Sequence, residues 1–302
     1  MDSVGVATPV GVVGRLAPTP SGYLHIGNAV NFVLTWLLVR RAGGTLHLRI
    51  DDLDRARLRR PYLENIFRVI DWLGIDYDAG PSGPDDFLRH YSQLLHLPEY
   101  NQALRRLAQR PGLVYASQRS RTGATPEVSV ALDTPGVAWR ARVAPGTTIG
   151  WGDDGQQALQ VALAAEMSDF IIRKKDGVVA YQLASVLDDL RLGTTLIVRG
   201  LDLRPSTAAQ LWLASQLPET SSFNSQRIRF YHHGLLTDAA GHKLSKSTQA
   251  AGDEGVLTQF ATPIPVYQHV ARLLGFPSEA GESLASLQAV ARTFQFAHER
   301  SE

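Results

Sequence analysis

Cysteine is absent from the 302-residue chain. This absence excludes disulfide bonds and metal sites built on thiolates. It fits a reducing compartment, and we expect a cytoplasmic protein. Residues 1–14 contain no basic segment followed by an apolar run, so no secretory signal peptide is expected.

An excess of charge of either sign is also missing. Lysine and arginine number 30, aspartate and glutamate number 29, and the net charge is +1. No global field therefore attracts the chain to nucleic acid, and any such contact has to be local. The composition, 44% apolar and 20% charged, is that of a globular protein with a sizeable core and more than one folding unit.

Only one stretch is apolar enough to raise the question of a membrane. Residues 21–39 carry no formal charge and are about long enough to span a bilayer. They include Asn28, Asn31 and Thr35, which are poor neighbours for lipid. From Val30 onward the apolar residues recur at helical spacing along one face. We therefore expect a helix buried in a core and no membrane partner.

Strands and helices alternate at the start of the chain. The pattern there predicts strands near 10–16 and 46–50 and helices near 28–43 and 61–74. This order is typical of a parallel sheet with crossover helices. It returns later, with predicted helices near 182–190 and from Pro205, and strands near 195–198 and 228–231. The sequence therefore predicts an α/β protein with a doubly wound parallel sheet.

A stretch in the middle of the chain interrupts this order and is expected to form an inserted α+β subdomain. The end of the chain is expected to be a short helical region without a further domain. The predicted division has four segments: residues 1–97 as the first half of the core, 98–165 as the insertion, 166–247 as the second half of the core, and 248–302 as the helical C-terminal region.

The segment between the first strand and the first helix, residues 17–28, reads APTPSGYLHIGN. Gly22 and Gly27 allow a ligand to approach the backbone without a Cβ in the way. Free N–H groups at the start of the helix can face phosphate, and His25 and Asn28 can donate to its oxygens. The segment matches neither a dinucleotide fingerprint nor a Walker loop. Taken alone, it is better interpreted as a Pro/Gly loop with a structural histidine.

A second segment, KLSKS at residues 243–247, places two lysines on a short polar loop. A lysine is a compact charge on a flexible stem, which suits a leaving pyrophosphate. Alone, this segment is better interpreted as a solvated basic loop. Together, the two distant segments predict one nucleotide site that holds a triphosphate and breaks it between the first and second phosphates. Stabilisation of the charge that develops in such a reaction is usually the largest contribution to catalysis.

Five segments, in this order, resemble landmarks of the class I aminoacyl-tRNA synthetases, specifically their glutamyl branch. They are GRLAPTPSGYLHIGN at 14–28, RIDDLD at 49–54, the stretch 169–189, VRGLD at 198–202 and KLSKS at 243–247. The resemblance covers roughly residues 12–250. It implies a Rossmann-type doubly wound parallel sheet as the catalytic core, with ATP and Mg²⁺ as the nucleotide and its ion.

The resemblance also implies the roles of individual residues. It assigns catalysis to His25, Asn28, Lys243 and Lys246. It assigns ATP binding to Pro18, Gly22, His25, Gly27, Asn28 and Lys246. It assigns glutamate binding to Arg15, Ala17, Thr19, Asp51, Tyr181 and Arg199. One acidic side chain and two arginines suit a substrate with one cation and two carboxylates.

Three departures from the glutamyl branch affect these expectations. Asp51 stands where the glutamyl members usually have Glu, so this side chain is one methylene shorter. Many members carry a zinc site that begins Cys-x-Cys shortly after a tyrosine; here Ser117 and Arg119 follow Tyr115, and we expect no zinc and no metal ligands. The chain ends at residue 302, soon after Ser247, where full glutamyl synthetases continue into anticodon-reading domains.

The chain thus resembles the shortened paralogues that activate glutamate with ATP and esterify it to the queuosine base of tRNA(Asp). We expect a monomeric ligase with glutamate, ATP and tRNA(Asp) as partners. Short basic clusters are usually solvated faces, but some would contact phosphates of such a tRNA. Two alternatives remain: the same chemistry with another acceptor, such as a tRNA 3′ end or a small amine, and a non-catalytic RNA-binding paralogue.

Overall fold

The computed structural model describes residues 11–117, 129–224, 228–235 and 255–295. The strands are β1 Val13–Leu16, β2 Thr45–Leu48, β3 Val114–Ser117, β4 Ser129–Val130, β5 Ala138–Ala141, β6 Thr148–Asp153, β7 Gln157–Ala162, β8 Phe170–Arg173, β9 Leu196–Gly200 and β10 Arg229–His233. The helices are α1 Ile26–Arg41, α2 Arg60–Trp72, α3 Pro84–Asp86, α4 Leu97–Ala108, α5 Leu163–Glu166, α6 Tyr181–Arg191, α7 Arg204–Ala214, α8 Val256–Gln259, α9 Ile264–Leu273 and α10 Leu284–Ala291.

A six-stranded sheet with the order β2-β1-β9-β10-β6-β7 forms the centre of the fold. Every pair in it is parallel except the edge hairpin β6–β7. The predicted α/β class with a doubly wound, mainly parallel sheet is therefore confirmed. From β1 the chain crosses to β2 on one side, whereas β9 and β10 lie on the other side. Ligand crevices in such sheets lie beyond the carboxyl ends of the strands, where the strand order reverses.

A second, antiparallel sheet has four strands in the order β4-β3-β5-β8. It combines three strands from the predicted insertion with β8 from the predicted second half of the core. Conversely, β6 and β7, also from the predicted insertion, lie in the six-stranded sheet. Strand pairing thus does not follow the boundaries expected near residues 98 and 166, and the division into four segments stays a prediction.

Helix α1 explains the uncharged stretch noted in the sequence. The side chains of Val30, Val33, Leu34 and Leu38 are buried in one large core cluster. On one side α1 packs against β1 and β9, and on the other it packs against α9 and α10. Burial on both sides accounts for a helix that is apolar almost all round, and the predicted buried helix is confirmed. Across the described ranges, none of the helices has the length and hydrophobicity needed to cross a bilayer.

A buried carboxylate on α6 ties three parts of the chain together. Asp188, whose side chain is 0% exposed, accepts hydrogen bonds from Gln93 Nε2 (2.6 Å), Tyr100 OH (2.5 Å) and Arg191 Nη2 (2.5 Å). The backbone N–H of Gln93 also donates to Asp52, just after β2 (2.9 Å). This network fixes α6 against α4 and the end of β2, and α6 in turn supplies residues to the cavity described below.

Replacing Asp188 with Ala should destabilise the protein by roughly 3–5 kcal/mol, because it leaves buried donors without an acceptor. Glu99→Ala is the matched control, since Glu99 pairs with the same Arg191 at 3.0 Å from an exposed position. It should cost less than about 1 kcal/mol. Urea unfolding followed by the fluorescence of the 5 tryptophans measures both. Equal losses in the two variants would contradict the assigned role of Asp188.

Candidate active site

A cavity of about 280 Å³ opens where the strand order of the six-stranded sheet reverses. Its walls come from the carboxyl ends of β1, β9 and β10 and from the first turns of α1 and α6. The lining residues are Arg15, Ala17, Pro18, His25, Gly27, Asn28, Asn31, Phe32, Tyr181, Val198, Arg199, Gly200, Asp202, Leu203, His233 and Leu235. Segments more than two hundred positions apart therefore share one crevice, at the place that parallel-sheet topology predicts.

The cavity brings together many of the residues predicted from the sequence: Arg15, Ala17, Pro18, His25, Gly27, Asn28, Tyr181 and Arg199. Three other predicted residues, Thr19, Gly22 and Asp51, are not among its lining residues. The two predicted lysines, Lys243 and Lys246, lie outside the described residues. The structure thus joins the first motif to the arginines of β1 and β9.

His25 caps the N-terminus of α1 and is held in one orientation by the backbone. Its Nδ1 accepts a hydrogen bond from Gly27 N (3.1 Å), and Asn28 Oδ1 accepts one from His25 N (3.1 Å). An added Cβ at Gly27 would lie 2.9 Å from the imidazole Cε1, so a larger residue there would push the ring out of this orientation. Because Nδ1 accepts, the proton of a neutral imidazole lies on Nε2. The cap therefore places the Nε2 side of the imidazole and the Asn28 amide NH₂ at a helix N-terminus that favours anions.

Arg15 is held by an alternating chain of buried charges. Asp189 Oδ1 accepts from Arg15 Nε (2.8 Å) and from Arg49 Nη1 (2.8 Å). Arg49 also forms a two-pronged pair with Asp51, at 2.7 and 3.2 Å. Burial alone would raise the pKa of Asp189, but the neighbouring guanidinium groups hold that pKa below its usual value. Asp189 is therefore an anion that fixes Arg15, and the carboxylate of Asp51 faces Arg49.

Arg199, on β9, differs from Arg15 in having no acidic partner within the described ranges. Only 3% of the residue is exposed, and its Nη1 donates to two neutral groups, Thr207 Oγ1 (3.1 Å) and Gln210 Oε1 (2.9 Å). Its Nη2 is buried and has no hydrogen-bond partner in this part of the chain. Burial lowers the pKa of Arg199, yet a guanidinium stays protonated in proteins. The cavity wall therefore holds a buried cation that forms no ion pair with a described carboxylate, and the charge of Asp189 offsets only part of its desolvation.

Sequence reasoning missed a second polar pair in the cavity. Asn31 Nδ2 lies 3.3 Å from His233 Nε2, and His233 Nδ1 lies 2.8 Å from the carbonyl oxygen of Gly234. Burial lowers the pKa of His233, so the neutral ring donates from Nδ1 to the carbonyl and accepts from Asn31 at Nε2. Two signals were present: Asn31 lies one helical turn beyond Asn28, and His233 ends a strand of a parallel sheet.

Metal ligands do not converge anywhere in the described ranges: no group of three histidine, aspartate or glutamate side chains is placed to hold an ion. Ser117, one of the two positions at which the resemblance would place a zinc ligand, ends β3 and is buried there. Arg119, the other position, lies outside the described residues.

Comparison with known proteins gives a consistent result. The family described as tRNA synthetases class I (E and Q), catalytic domain, matches residues 11–120 and 138–302. A protein of Nitratidesulfovibrio vulgaris named Glutamyl-Q tRNA(Asp) synthetase is 36% identical over 263 residues, covering 78% of this chain and 78% of the relative. A Glutamate--tRNA ligase 2 of Xanthobacter autotrophicus is 33% identical over 314 residues, covering 97% of this chain and 65% of that protein.

Among solved structures, a glutamate tRNA ligase from Elizabethkingia meningosepticum superposes with a TM-score of 0.70 at 21% identity. The superposition covers 92% of this chain and 64% of that structure, so the present chain spans less than two thirds of its length. This likeness establishes the fold. The family match, which spans most of the sequence, confirms the resemblance inferred from the motifs: the chain belongs to the class I tRNA synthetases of the E and Q group, through their catalytic domain.

Proposed function

We propose that this protein activates glutamate with ATP to give glutamyl-adenylate and pyrophosphate, and transfers the glutamyl group to the queuosine base of tRNA(Asp). The observation that carries the proposal is the cavity itself. Arg15 and Arg199 both line it, and Arg199 forms no ion pair with a described acidic side chain. The name Glutamyl-Q tRNA(Asp) synthetase of the relative that is 36% identical supports the same substrate and acceptor.

Glutamate fits the charges of the cavity. One of its two carboxylates, the α-carboxylate, has to stay free to attack ATP, so the side-chain carboxylate is the one that an arginine can hold throughout the reaction. Arg199, with a buried unpartnered Nη2, suits that carboxylate through charge-assisted hydrogen bonds. Asp51 is retained as the proposed partner of the substrate ammonium; in the free protein its carboxylate is paired with Arg49.

Activation then needs positioning and charge stabilisation and no covalent protein intermediate. The α-carboxylate attacks the α-phosphate in line, and the bond to the pyrophosphate breaks. The cap of α1 presents His25 Nε2 and the amide of Asn28 to the phosphates, and Lys243 and Lys246 are proposed to follow the leaving pyrophosphate. Mg²⁺ is expected to be held by the ATP phosphates, because Asp202 is the one carboxylate among the described lining residues.

A second candidate is attachment of glutamate to the 3′ end of a tRNA. The relative named Glutamate--tRNA ligase 2, at 33% identity, favours it. Both candidates share the activation step and differ in the acceptor. One of the short basic clusters comprises Arg55, Arg57, Arg59 and Arg60. It offers little free charge for either tRNA, because Arg55, Arg57 and Arg60 are paired with acidic side chains at 2.5–2.6 Å.

The activation step predicts glutamate-dependent exchange of labelled pyrophosphate into ATP. In the wild-type protein, glutamate should support exchange and glutamine and aspartate should not. Lys246→Ala should slow the exchange by roughly 10²–10³, the usual cost of losing one donor to developing charge, with little change in glutamate affinity. A loss of rate matched by an equal loss of affinity would contradict the role of Lys246. No exchange with any amino acid would point to a non-catalytic paralogue.

The unpaired charge of Arg199 predicts that stability and binding respond in opposite directions. Arg199→Met removes a buried cation without an acidic partner, so the free energy of unfolding should stay the same or rise by about 1 kcal/mol. Stabilisation by glutamate in thermal denaturation should disappear. Arg49→Met is the matched control, since Arg49 is equally buried but pairs with two acids; it should destabilise by roughly 3–5 kcal/mol. Comparable destabilisation by the two substitutions would refute the unpaired-charge interpretation.

The acceptor is settled by transfer of labelled glutamate to two preparations of tRNA(Asp), with and without queuosine. We expect labelling only of the queuosine-containing tRNA, since the queuosine base supplies the hydroxyl that attacks the adenylate. Nuclease mapping of the labelled product should place glutamate in the anticodon loop. Equal labelling of both preparations at the 3′ end would instead support the second candidate.

A further inference from the structure

The two hydrogen bonds that hold Arg199 continue into a longer buried chain. Both use the same nitrogen, Nη1, and both end on neutral side chains of α7, Thr207 and Gln210. Thr207 and Gln210 are themselves 0% exposed. Since Nη1 is anchored on the side of α7, the guanidinium can rotate only by breaking buried hydrogen bonds. Its Nη2 is buried and has no partner among the described residues, and Arg199 lines the cavity.

The hydroxyl of Thr207 is oriented by His232, which lies beside Arg199 on the neighbouring strand β10. Its Oγ1 lies 2.9 Å from His232 Nε2, and His232 Nδ1 is hydrogen-bonded to the carboxylate of Asp153. A carboxylate only accepts, so the imidazole proton lies on Nδ1 and Nε2 is an acceptor. The Thr207 hydroxyl has two acceptors nearby, Nε2 at 2.9 Å and the carbonyl oxygen of Leu203 at 3.3 Å, and the shorter contact assigns its proton to Nε2. Burial lowers the pKa of His232, although Asp153 opposes that shift, so the ring is neutral near pH 7. The Thr207 oxygen then offers its lone pairs to Arg199.

Asp153 is in turn fixed by the backbone. Its Oδ1 accepts from the N–H groups of His232 (3.1 Å) and Gly155 (3.0 Å). Gly155 is required at this point, because an added Cβ would lie 2.6 Å from the carbonyl oxygen of His232. Asp153 and Gly155 lie at the turn of the β6–β7 hairpin. Asp153, at the turn of this hairpin, is therefore a rigid acceptor that faces β10, the strand next to β9 and Arg199.

We propose that Asp153, His232 and Thr207 are positioning residues that set the direction of the Arg199 guanidinium and thereby the affinity and selectivity for the side-chain carboxylate of glutamate. The inference rests on the proposed function and extends it to three residues outside the cavity. Two neutral groups stand between the anion and the cation. Polarisation along the chain stabilises the buried charge of Arg199, and no carboxylate competes directly with the ligand for Nη2.

Thr207→Val tests the chain because it removes the hydroxyl and keeps the shape. In pyrophosphate exchange we expect the KM for glutamate to rise roughly tenfold, the cost of a hydrogen bond to a charged group, with the KM for ATP unchanged. Thr207→Ser keeps the hydroxyl and should restore the wild-type KM. Discrimination between glutamate and glutamine should fall in Thr207→Val and recover in Thr207→Ser.

Thr220→Val is the matched control. Thr220 is also buried, and its hydroxyl donates to the backbone carbonyls of Ala214 (2.9 Å) and Leu217 (3.1 Å). It should lower the melting temperature and leave both KM values unchanged. If Thr207→Val does not fold, Gln210→Met removes the other acceptor of Arg199 Nη1 and should give the same selective rise in the KM for glutamate.

The outcomes separate this inference from the proposed function. A wild-type protein without glutamate-dependent exchange refutes the proposed function and this inference with it. An active wild-type protein whose folded Thr207→Val variant keeps the KM for glutamate refutes this inference alone. Equal rises in the KM values for glutamate and ATP, not restored in Thr207→Ser, would also refute it, because they indicate a general structural defect.

Discussion

A buried guanidinium without a carboxylate partner is the constraint on which the site depends. Arg199 is held in the wall of the cavity by a hydroxyl and an amide, and one of its nitrogens has no partner within the described residues. Such a charge is costly to bury, and the fold accepts that cost at the point where a ligand can offset it. Arg15, on the neighbouring strand β1, is already paired with Asp189. The site therefore offers one satisfied and one unsatisfied arginine to an anionic substrate.

Sheet topology brings these two arginines together. β1 and β9 are adjacent and parallel although about 180 residues separate them, so their carboxyl ends open into the same crevice. The two helices that begin at this edge add their first turns: α1 contributes the His25 cap, and α6 contributes Tyr181 and, further along, the acid that holds Arg15. Two neighbouring aspartates on α6 have separate structural roles. Asp188 fixes the helix to the rest of the core, and Asp189 fixes Arg15.

Much of this could be predicted from the sequence, and the omissions have physical reasons. Apolar periodicity located α1, and the first motif located the residues around His25, because these signals are local. The β6–β7 hairpin was not predicted because Gly150 and Gly152 interrupt β6, and only Ile149 and Trp151 mark its inward face. The partners of Arg199 escaped because they are contacts between elements. The ion pair between Asp51 and Arg49 was not predicted for the same reason. The two residues lie only two positions apart, but their burial as part of a charge chain depends on Asp189, which is distant in the sequence.

The same unsatisfied charge accounts for selectivity in the proposed reaction. Glutamine has nearly the shape of glutamate but presents a neutral amide, so the charge of Arg199 would remain buried and uncompensated in that complex. Aspartate has the right charge but is one methylene shorter. In the proposed reaction its side-chain carboxylate would fall one methylene short of Arg199 on β9 while its α-carboxylate stays at the phosphates near the start of α1. In this proposal glutamine is rejected because it leaves the charge of Arg199 uncompensated, and aspartate is rejected because its side chain is too short. Both act only if the guanidinium keeps one direction, which is why the polar chain behind Arg199 matters as much as the arginine itself.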